Sequence, residues 1–520
     1  MQRLNRLIKK NYIEIVFLIS LGIASSLSLP PYNYLIINFF TFSSFFIFLI
    51  KKSKTTKSKK DFFFYGWLFG FGYFLSSLYW ISISLTFDQN FKFLIPITII
   101  LIPSFLGIFY GLVTFCFIIS KPRKIVSSFF IFSLLFGVFE FIRGSILTGF
   151  PWNLIAYSFV NHLEILSITS IIGTYGFNLF CISLFASPAI FILRETKKDI
   201  GVCVIFLFLP SLFYLYGSSY KETFNSSDNE SYEYKVRAIG SNISLDRYYS
   251  NIDPVSVIND LINISEPERN EKTIFVWPEG ILPDISQDEL VEFKRLFENT
   301  FSKNHLLFIG INNQKTNKQE ISYFNSLTIY DHNLEVLNFY NKINLVPFGE
   351  FLPFENILKA FGLSVITNNY QSFSKGKDRK ILEIKRDDFL LKILPLICYE
   401  IIYSGKIFKN SNFDLIVNIS EDGWFGKSIG PKQHFVHSIF RSVESGKYLL
   451  RSANNGIAAI INPLGVIEQK VEFGKSGYVD FKEAKKIKPT LFSKYGNKIF
   501  IILILLYIFI IFSFNRFKNE

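Results

Sequence analysis

The chain has 520 residues, of which 49% are hydrophobic and 62 are Phe, and it carries a formal net charge of +13. This composition excludes a disordered chain and a small disulfide-bonded scaffold, because 18% of the residues are aromatic and only four are Cys. The positive charge alone does not indicate nucleic-acid binding, since basic residues also collect in the cytoplasmic loops of membrane proteins.

Much of the chain is expected to face lipid, because eight apolar segments are long enough to cross a hydrocarbon core. Seven of them precede residue 218 and one follows residue 497. The predicted segments are 12–29, 33–50, 62–86, 93–120, 125–142, 165–193, 200–217 and 498–514. The first could be a signal peptide, but the seven further segments favour a retained helix.

Lys and Arg are distributed unevenly between the connections of these segments. Eighteen of them lie in residues 1–10, 51–60, 121–124, 194–198 and 515–520. The intervening short connections hold almost none, so the positive-inside rule predicts cytoplasmic termini and leaves no basic face for nucleic acid. We therefore predict a membrane domain at 1–217, an extracytoplasmic domain at 218–497, and a last membrane helix with a short tail at 498–520.

Two ionisable residues, Glu140 and Arg143, lie at the outer end of the fifth apolar segment. Charged side chains at membrane depth are costly unless paired, and they are therefore candidates for a functional role. A separation of three residues would let the two side chains meet on one helix face. We favour a structural pair over catalysis, because no nucleophile lies near Glu140 in the local sequence.

In residues 218–497 polar residues become frequent and the apolar runs shorten to between five and eight residues. The predicted strands are YKVRAIG, TIFVW, LLFIGI, FNSLTIY, EVLNFY, LLKILPLI, FDLIVNI and GIAAIIN, and the predicted helices lie near 253–264, 287–302 and 432–445. The last helix would begin near Pro431 and end at Gly446. This alternation predicts an α/β domain with a mixed sheet covered by helices.

Three residues that could perform chemistry lie within two positions of the end of a predicted strand. Glu279 follows TIFVW, Lys342 follows EVLNFY, and Cys398, the only Cys of the outer domain, follows LLKILPLI. Ligands of α/β sheets bind beyond the carboxyl ends of the strands, so we expect these three side chains to share a site.

These residue types suit nucleophilic catalysis by a thiol. A free Cys has a pKa of about 8.5 and needs a base or a cation beside it. Glu279 could take the thiol proton, and Lys342 could favour the thiolate and stabilise the oxyanion of a tetrahedral intermediate. Considered one at a time, Cys398 could instead be an inert buried residue, and Glu279 and Lys342 could be ordinary surface charges.

Three motifs carry a resemblance to a known group of enzymes: W-P-E-G at 277–280, N-K-I-N-L-V-P-F-G-E at 341–350 and C-Y-E at 398–400. They resemble the Glu-Lys-Cys signatures of the nitrilase superfamily. With seven predicted spans before the outer domain and one after it, the whole chain resembles the apolipoprotein N-acyltransferases, the family of that superfamily embedded in bacterial inner membranes. T-G-F-P-W-N at 148–153 is similar to this family's membrane motif, and E-D-G-W-F-G at 421–426 is similar to its N-D-A-W-F-G loop.

The resemblance implies an αββα sandwich and a thioester mechanism, with Glu279 as general base, Lys342 as oxyanion stabiliser and Cys398 as nucleophile. The implied supporting residues are Glu350, Tyr399 and Glu400, and the implied substrate contacts are Trp277, Asn242, Trp424 and Phe425. Ordinary packing and capping are close alternatives for Tyr399 and Glu400. No metal and no cofactor are implied.

The activity implied is transfer of a fatty acyl chain from a membrane phospholipid to the amine of an N-terminal diacylglyceryl-cysteine. This modification of apolipoproteins, on the periplasmic side of the inner membrane, is the last step of lipoprotein maturation. One alternative is a membrane-anchored amidase or nitrile hydrolase with the same three residues, although seven preceding spans are hard to explain for it. Another is a transporter or receptor, although no paired inverted halves are recognisable.

The sequence departs from the family pattern at Glu421, where Asn is usual, and at Tyr248, where Trp is common. Two other patterns compete with the thiol. Residues 426–430 match a serine nucleophile elbow, but Ser428 has no His at a suitable distance along the chain. His434 and His437 could be half of a metal site, but no third ligand stands out, and we expect polar surface or packing positions.

Overall fold

The computed structural model describes residues 2–516 except 88, 122, 123, 251, 318, 319, 354–371, 387, 388 and 408–411. The chain divides into two compact units. One is formed by residues 1–220 and 495–520, and the other by residues 221–494. The first unit is helical, and the described strands belong to the second.

The first unit opens with nine helices in its described part. They are α1 (Gln2–Ser26), α2 (Ile37–Thr55), α3 (Lys59–Leu78), α4 (Ile95–Ile119), α5 (Ile125–Arg143), α6 (Leu163–Leu166), α7 (Thr169–Ala186), α8 (Pro188–Leu193) and α9 (Lys197–Asn225), which runs past the unit boundary. Helices α3 and α4 pack closely through glycines, because a Cβ added at Gly66 would lie 2.1 Å from the Tyr110 carbonyl oxygen.

Six helical stretches in the described part of the chain are long and apolar enough to cross a membrane. They are Lys59–Thr86, Phe91–Ile119, Ile125–Arg143, Thr169–Leu193, Lys197–Asn225 and Lys498–Asn515. A shorter apolar helix, Tyr12–Ser26, overlaps the first predicted segment. The second predicted segment, 33–50, overlaps α2, which is not among the six, and the count of eight spans stays a prediction.

The second unit contains thirteen described strands and the helices that follow α9. The strands are β1 (Asn229–Ser241), β2 (Thr273–Val276), β3 (Leu282–Ser286), β4 (His305–Asn317), β5 (Glu320–Asp331), β6 (Val336–Asn341), β7 (Leu382–Arg386), β8 (Phe389–Ile397), β9 (Leu415–Glu421), β10 (Tyr448–Asn454), β11 (Ala458–Ile461), β12 (Ile467–Val471) and β13 (Gly477–Lys485). The helices are α10 (Pro254–Ser265), α11 (Lys294–Thr300), α12 (Gly430–Ser445) and α13 (Leu491–Tyr495), and α14 (Lys498–Arg516) returns to the first unit.

The strands form one mixed sheet in the order β6-β5-β4-β2-β1-β10-β9-β8-β7. The central strands β4, β2, β1, β10, β9 and β8 are parallel, and the outer neighbours β5 and β7 are antiparallel. Because β6 is antiparallel to β5, it runs in the direction of the central strands. The carboxyl ends of β2, β6, β8 and β9 therefore lie on the same edge of the sheet.

Each of the eight predicted strands overlaps an observed one, whereas β3, β7, β10, β12 and β13 were not predicted. Strand β10 was missed because Arg451 interrupts its apolar pattern, although this side chain is fully buried. The predicted helix 287–302 is divided into a 3-10 turn, Glu289–Phe293, and the short helix α11. Helix α12 ends at Gly446, whose φ of 66° is the left-handed conformation expected of a glycine cap.

Candidate active site

Glu279 lies just beyond β2, and three donors from other segments hold its buried carboxylate. Its Oε1 accepts hydrogen bonds from Lys342 Nζ at 2.9 Å and from Asn325 Nδ2 at 2.7 Å. Its Oε2 accepts one from the backbone N–H of Glu421 at 2.9 Å. The carboxylate is therefore fixed in position by groups on β5, β6 and β9.

Lys342 follows β6, and its ammonium lies between two carboxylates. Nζ is 2.9 Å from Glu279 Oε1 and 2.9 Å from Glu350 Oε1, and the side chain is only 1% exposed. Burial alone would lower the pKa of Lys342, but the charges of Glu279 and Glu350 raise it well above its usual value. The lysine is therefore a permanent cation at physiological pH.

Glu350 and Asn325 complete this charged cluster. Asn325 Nδ2 donates to both carboxylates, at 2.7 Å to Glu279 Oε1 and at 2.7 Å to Glu350 Oε1. Glu350 Oε2 accepts from the N–H of Val346 at 2.8 Å. Glu350, named above only as an implied supporting residue, lies 2.9 Å from Lys342 Nζ. Asn325 was not predicted, and its only sequence signal is an amide within the predicted strand FNSLTIY.

Cys398 follows β8 and begins the 3-10 turn Cys398–Ile402. Its φ of 46° is left-handed, a conformation that costs roughly 1–2 kcal/mol for a residue with a Cβ. Burial, and next the charge of Glu279, raise the pKa of the thiol well above its usual value, while Lys342 acts in the opposite direction. The resting thiol is therefore protonated and needs a base to become a nucleophile.

Glu400 ties the turn of Cys398 to the segment that follows Lys342. Its buried carboxylate accepts hydrogen bonds from the Tyr340 hydroxyl, the N–H groups of Ile343, Asn344 and Ile397, and Arg379 Nη2 at distances of 2.9–3.1 Å. Tyr399 is also buried, with its ring edge-on to Tyr403. Glu400 therefore acts on the geometry of two predicted catalytic residues without touching the thiol itself.

A second buried network lies behind the nucleophile. Asp422, after β9, accepts from Arg451 Nη2 at 2.8 Å and from the Ser420 hydroxyl at 2.7 Å. His434 Nδ1 lies 2.8 Å from Asp422 Oδ1, and His434 Nε2 lies 3.3 Å from the carbonyl oxygen of Cys398. Although burial opposes it, the charges of Arg451 and then His434 lower the pKa of Asp422 below its usual value. This network holds the strained backbone of Cys398.

Helix α12 supports the same turn through further buried side chains. Arg441 Nη1 donates to the carbonyl oxygen of Ile402 at 3.2 Å, and Glu444 Oε1 accepts from the Ser404 hydroxyl at 2.6 Å. His437 lies on this helix face and is buried, as is His434. The two histidines are therefore packing residues and not surface residues, and the sequence did not indicate that one of them would reach the nucleophile.

The serine that matched a nucleophile elbow caps a helix. The Ser428 hydroxyl donates to the carbonyl oxygen of Phe425 at 2.7 Å and accepts from the N–H of Gly430 at 3.0 Å. Gly430 is the first residue of α12, so Ser428 satisfies a free N–H of its first turn. This capping accounts for the serine without a catalytic role.

The four residues expected to contact substrate lie in different surroundings. Trp277 is fully buried in the core, where its indole N–H donates to the Ser265 hydroxyl at 2.9 Å. Asn242 is exposed after β1. Trp424 and Phe425 are half-buried on the turn after β9, beside the Glu421 and Asp422 contacts. The Trp424 ring centre lies 5.0 Å from that of Tyr248 and the Phe425 ring centre 5.5 Å from that of His434, whereas Trp277 belongs to the core.

The described residues provide three of the functions required for acyl transfer through a thiol. Glu279 can accept a proton, Lys342 can stabilise negative charge on oxygen, and the charges of both act on the Cys398 thiol. Buried hydrogen bonds hold each of these groups in place before any substrate arrives. Such preorganisation is the main source of electrostatic catalysis in enclosed sites.

Two family models match the chain. Residues 21–187 match the apolipoprotein N-acyltransferase N-terminal domain, and residues 259–479 match the carbon-nitrogen hydrolase family. Together with the mixed α/β sheet, these matches confirm the predicted fold class, a helical membrane region with an α/β domain of nitrilase type.

Curated relatives are similar over most of the chain. An apolipoprotein N-acyltransferase of Rickettsia prowazekii is 32% identical, covering 92% of this chain and 93% of its own. One of Rhodopseudomonas palustris is 30% identical over 92% of this chain and 90% of its own. Among solved structures, a branch 10 nitrilase-superfamily protein of Saccharomyces cerevisiae is 15% identical, covers 48% of this chain and 90% of its own, and has a TM-score of 0.33.

Proposed function

Because the chain belongs to the apolipoprotein N-acyltransferase family, we propose that it transfers a fatty acyl chain from a membrane phospholipid to the N-terminal amine of a diacylglyceryl apolipoprotein. The position of the Lys342 ammonium is the observation that supports this mechanism. It lies 2.9 Å from the Glu279 carboxylate and interacts electrostatically with the Cys398 thiol. An acid, a base and a nucleophile are thereby present in one buried cluster.

The first half of the reaction forms a thioester on Cys398. Glu279 takes the thiol proton while the sulfur attacks the ester carbonyl of the phospholipid. Lys342 stabilises the resulting oxyanion. The tetrahedral intermediate then collapses, the ester C–O bond breaks, and protonated Glu279 returns its proton to the alkoxide of the departing lysophospholipid.

The second half transfers the acyl group to nitrogen. The amine of the lipoprotein attacks the thioester carbonyl and passes a proton to Glu279, and Lys342 again stabilises the oxyanion. Collapse breaks the C–S bond, and the sulfur recovers the proton from Glu279. The products are an amide and the free thiol, so the cycle needs no metal and no cofactor.

The membrane context follows from the helices and the relatives: the chain is a multi-pass bacterial membrane protein. We propose further that it lies in the inner membrane, with residues 218–497 as a catalytic domain on the periplasmic side. The distribution of Lys and Arg between the short connections supports this orientation. Both substrates are lipids, so a catalytic domain flanked by membrane helices suits their delivery.

The amidase and nitrile hydrolase alternative is not favoured. The relatives that match over about nine-tenths of the chain, including its membrane region, are acyltransferases. A hydrolase acting on a soluble substrate would have no use for that region. The transporter alternative does not account for the charged cluster around Lys342.

The proposal is tested with purified full-length protein and acyl-labelled phospholipid in the absence of acceptor. We expect a hydroxylamine-labile acyl adduct on Cys398, which disappears when a diacylglyceryl-cysteine peptide is added and an amide product forms. Cys398→Ala should form no adduct. The matched control replaces the three other cysteines, Cys116, Cys181 and Cys203, together and should keep the adduct.

An adduct that survives in Cys398→Ala would contradict the thioester mechanism. Release of free fatty acid at the same rate with and without the peptide would instead indicate that water is the acceptor. The first result would refute Cys398 as the nucleophile, and the second would refute the transferase proposal.

A further inference from the structure

The buried backbone N–H of Glu421 is part of the site, because it donates to Glu279 Oε2 at 2.9 Å. The position of this N–H depends on what holds the end of β9. The Glu421 side chain enters a separate set of hydrogen bonds, whose donors are Arg247, Asn454, Asn455 and the N–H of Gly423. These bonds fix the last residue of β9.

Glu421 is paired with Arg247, and both side chains are only 1% exposed. Glu421 Oε2 accepts from Arg247 Nη2 and also from Asn454 Nδ2 at 2.7 Å. Glu421 Oε1 accepts from the N–H of Gly423 at 2.8 Å. A buried carboxylate with this many donors is tightly oriented, but its stability depends on the opposite charge of the arginine.

Arg247 lies in the 3-10 turn Leu245–Tyr248 that follows β1, and the turn is attached to the strand ends. Arg247 Nη1 donates to the carbonyl oxygen of Ser244 at 2.8 Å. Asn454, at the end of β10, donates to the carbonyl oxygen of Ile243 at 3.0 Å. The ion pair therefore connects the turn after β1 to the end of β9.

Tyr248 joins this pair to the other side of Glu279. The Arg247 guanidinium lies 4.7 Å from the centre of the Tyr248 ring. The Tyr248 hydroxyl donates to the carbonyl oxygen of Gly280 at 2.7 Å. Gly280 follows Glu279 directly and has a left-handed φ of 52°. The turn after β1 therefore contacts the general base through its neighbour in sequence and, through Glu421, at its Oε2.

We propose that Arg247, Tyr248 and Glu421 form a positioning unit for Glu279, an inference that rests on the proposed role of Glu279 as general base. The two departures from the family pattern, Glu421 and Tyr248, are both members of this unit. An asparagine at position 421 would keep the backbone N–H, but it would leave the buried Arg247 without a counter-charge. In this chain the buried charge of Arg247 therefore needs the opposite charge of Glu421, and the buried charge of Glu421 needs that of Arg247.

The proposal predicts strong coupling between the two charged residues. Glu421→Gln should lower the first-order rate of thioester formation at saturating phospholipid about ten-fold, because the buried arginine loses its partner and the end of β9 shifts. Arg247→Met should have a similar effect. The double variant Arg247→Met with Glu421→Gln should recover most of the rate, because the unpaired charge is gone. The phospholipid concentration for half-maximal rate should stay unchanged in each.

Asp480→Asn is the matched control. Asp480 lies in the same α/β unit of the chain but outside the positioning unit. It forms a bidentate ion pair with Arg237, at 2.7 Å and 2.8 Å, without contact to Glu279. This variant should lose stability but keep the acylation rate. Tyr248→Phe, which leaves the ion pair intact and removes the bond to Gly280, should lower the rate about three-fold and provides a second test if Glu421→Gln does not fold.

A wild-type acylation rate in Glu421→Gln or in Tyr248→Phe would overturn the positioning unit. It would also be overturned if the acylation rate of the double variant Arg247→Met with Glu421→Gln fell by the product of the two single-variant factors. These results differ from a failure of the proposed function, which would appear as free fatty acid released at the same rate with and without the peptide. They also differ from a failure of the proposed nucleophile, which would appear as an adduct in Cys398→Ala. If Cys398 is required and the Glu421 variants are not impaired, only the positioning unit is wrong.

Discussion

Each unit of the molecule buries an acid beside a base, and the two arrangements differ in their balance of charge. In the membrane unit, Glu140 accepts from Arg143 Nε at 2.8 Å and from the Tyr110 hydroxyl at 2.6 Å. One carboxylate there meets one cation. In the α/β unit, one ammonium, Lys342, is shared by two carboxylates.

From this difference we expect a structural pair in the membrane unit and a reactive cluster in the α/β unit. The Glu140 and Arg143 charges cancel, and Arg143 also donates to the carbonyl oxygen of Phe150, so no reactive group is left at the pair. Around Lys342 the two carboxylates exceed the single cation by one negative charge, and the charge of one of them, Glu279, acts on a protonated thiol. Glu279 has a proton source, the Cys398 thiol, beside it and can react. The balanced pair of Glu140 and Arg143 can only stabilise the packing around the end of α5.

Removing the base should give the largest effect of the variants that probe this difference. Glu279→Gln should slow thioester formation by about 10²–10⁴-fold at neutral pH, because the buried thiol must ionise without help. The same change removes a charge that raises the thiol pKa and leaves the Lys342 cation, so the residual rate should climb steeply with rising pH. Single-turnover acylation measured from about pH 6 to pH 10 checks this.

Removing the cation should cost somewhat less and should respond differently to pH. Lys342→Met should slow thioester formation by about 10²–10³-fold, because the oxyanion loses its principal partner. Burial and Glu279 then both raise the thiol pKa without the opposing charge of Lys342, so alkaline pH should restore little of the rate. Equal recovery of this variant and Glu279→Gln in the same pH series would show that the two roles are wrongly assigned.

The balanced pair should affect stability and leave the chemistry unchanged. Glu140→Gln leaves Arg143 buried without a counter-charge and should lower the free energy of unfolding by about 3–5 kcal/mol. Thermal unfolding in detergent measures this loss, and Glu140→Gln with Arg143→Met together should lose less. A reduced acylation rate per folded molecule in Glu140→Gln would show that the membrane pair takes part in the reaction.

The sequence predicted the charged centre of the site because strand ends can be recognised locally. Glu279, Lys342 and Cys398 each follow a short apolar run, and parallel strands bring their carboxyl ends to one edge. The groups that hold them could not be found in this way. Asn325 lies within a strand, and its contacts join residues that are 46 and 25 positions away along the chain.

Buried polar groups were the second source of error. Arg451 sits in the middle of β10, where a charged residue argues against a buried strand, and the contact of His434 with Asp422 was not predicted, although a packing position for this histidine was among the expectations. Both are explained by Asp422, which contacts each of them. Partners that are distant in sequence decide whether a charge can be buried, and local patterns contain no information about them.

If Glu279 is the base of the proposed cycle, its hydrogen bonds also prevent the phospholipid and the lipoprotein from reacting at the same time. A carboxylate has about four lone pairs. The described residues fill both on Oε1, from Lys342 and Asn325, and one on Oε2, from the N–H of Glu421. A single lone pair remains for every proton that the proposed cycle moves. The phospholipid and the lipoprotein must present their reacting atoms at the same point, so they cannot occupy it together, and an excess of either lipid should slow the use of the other.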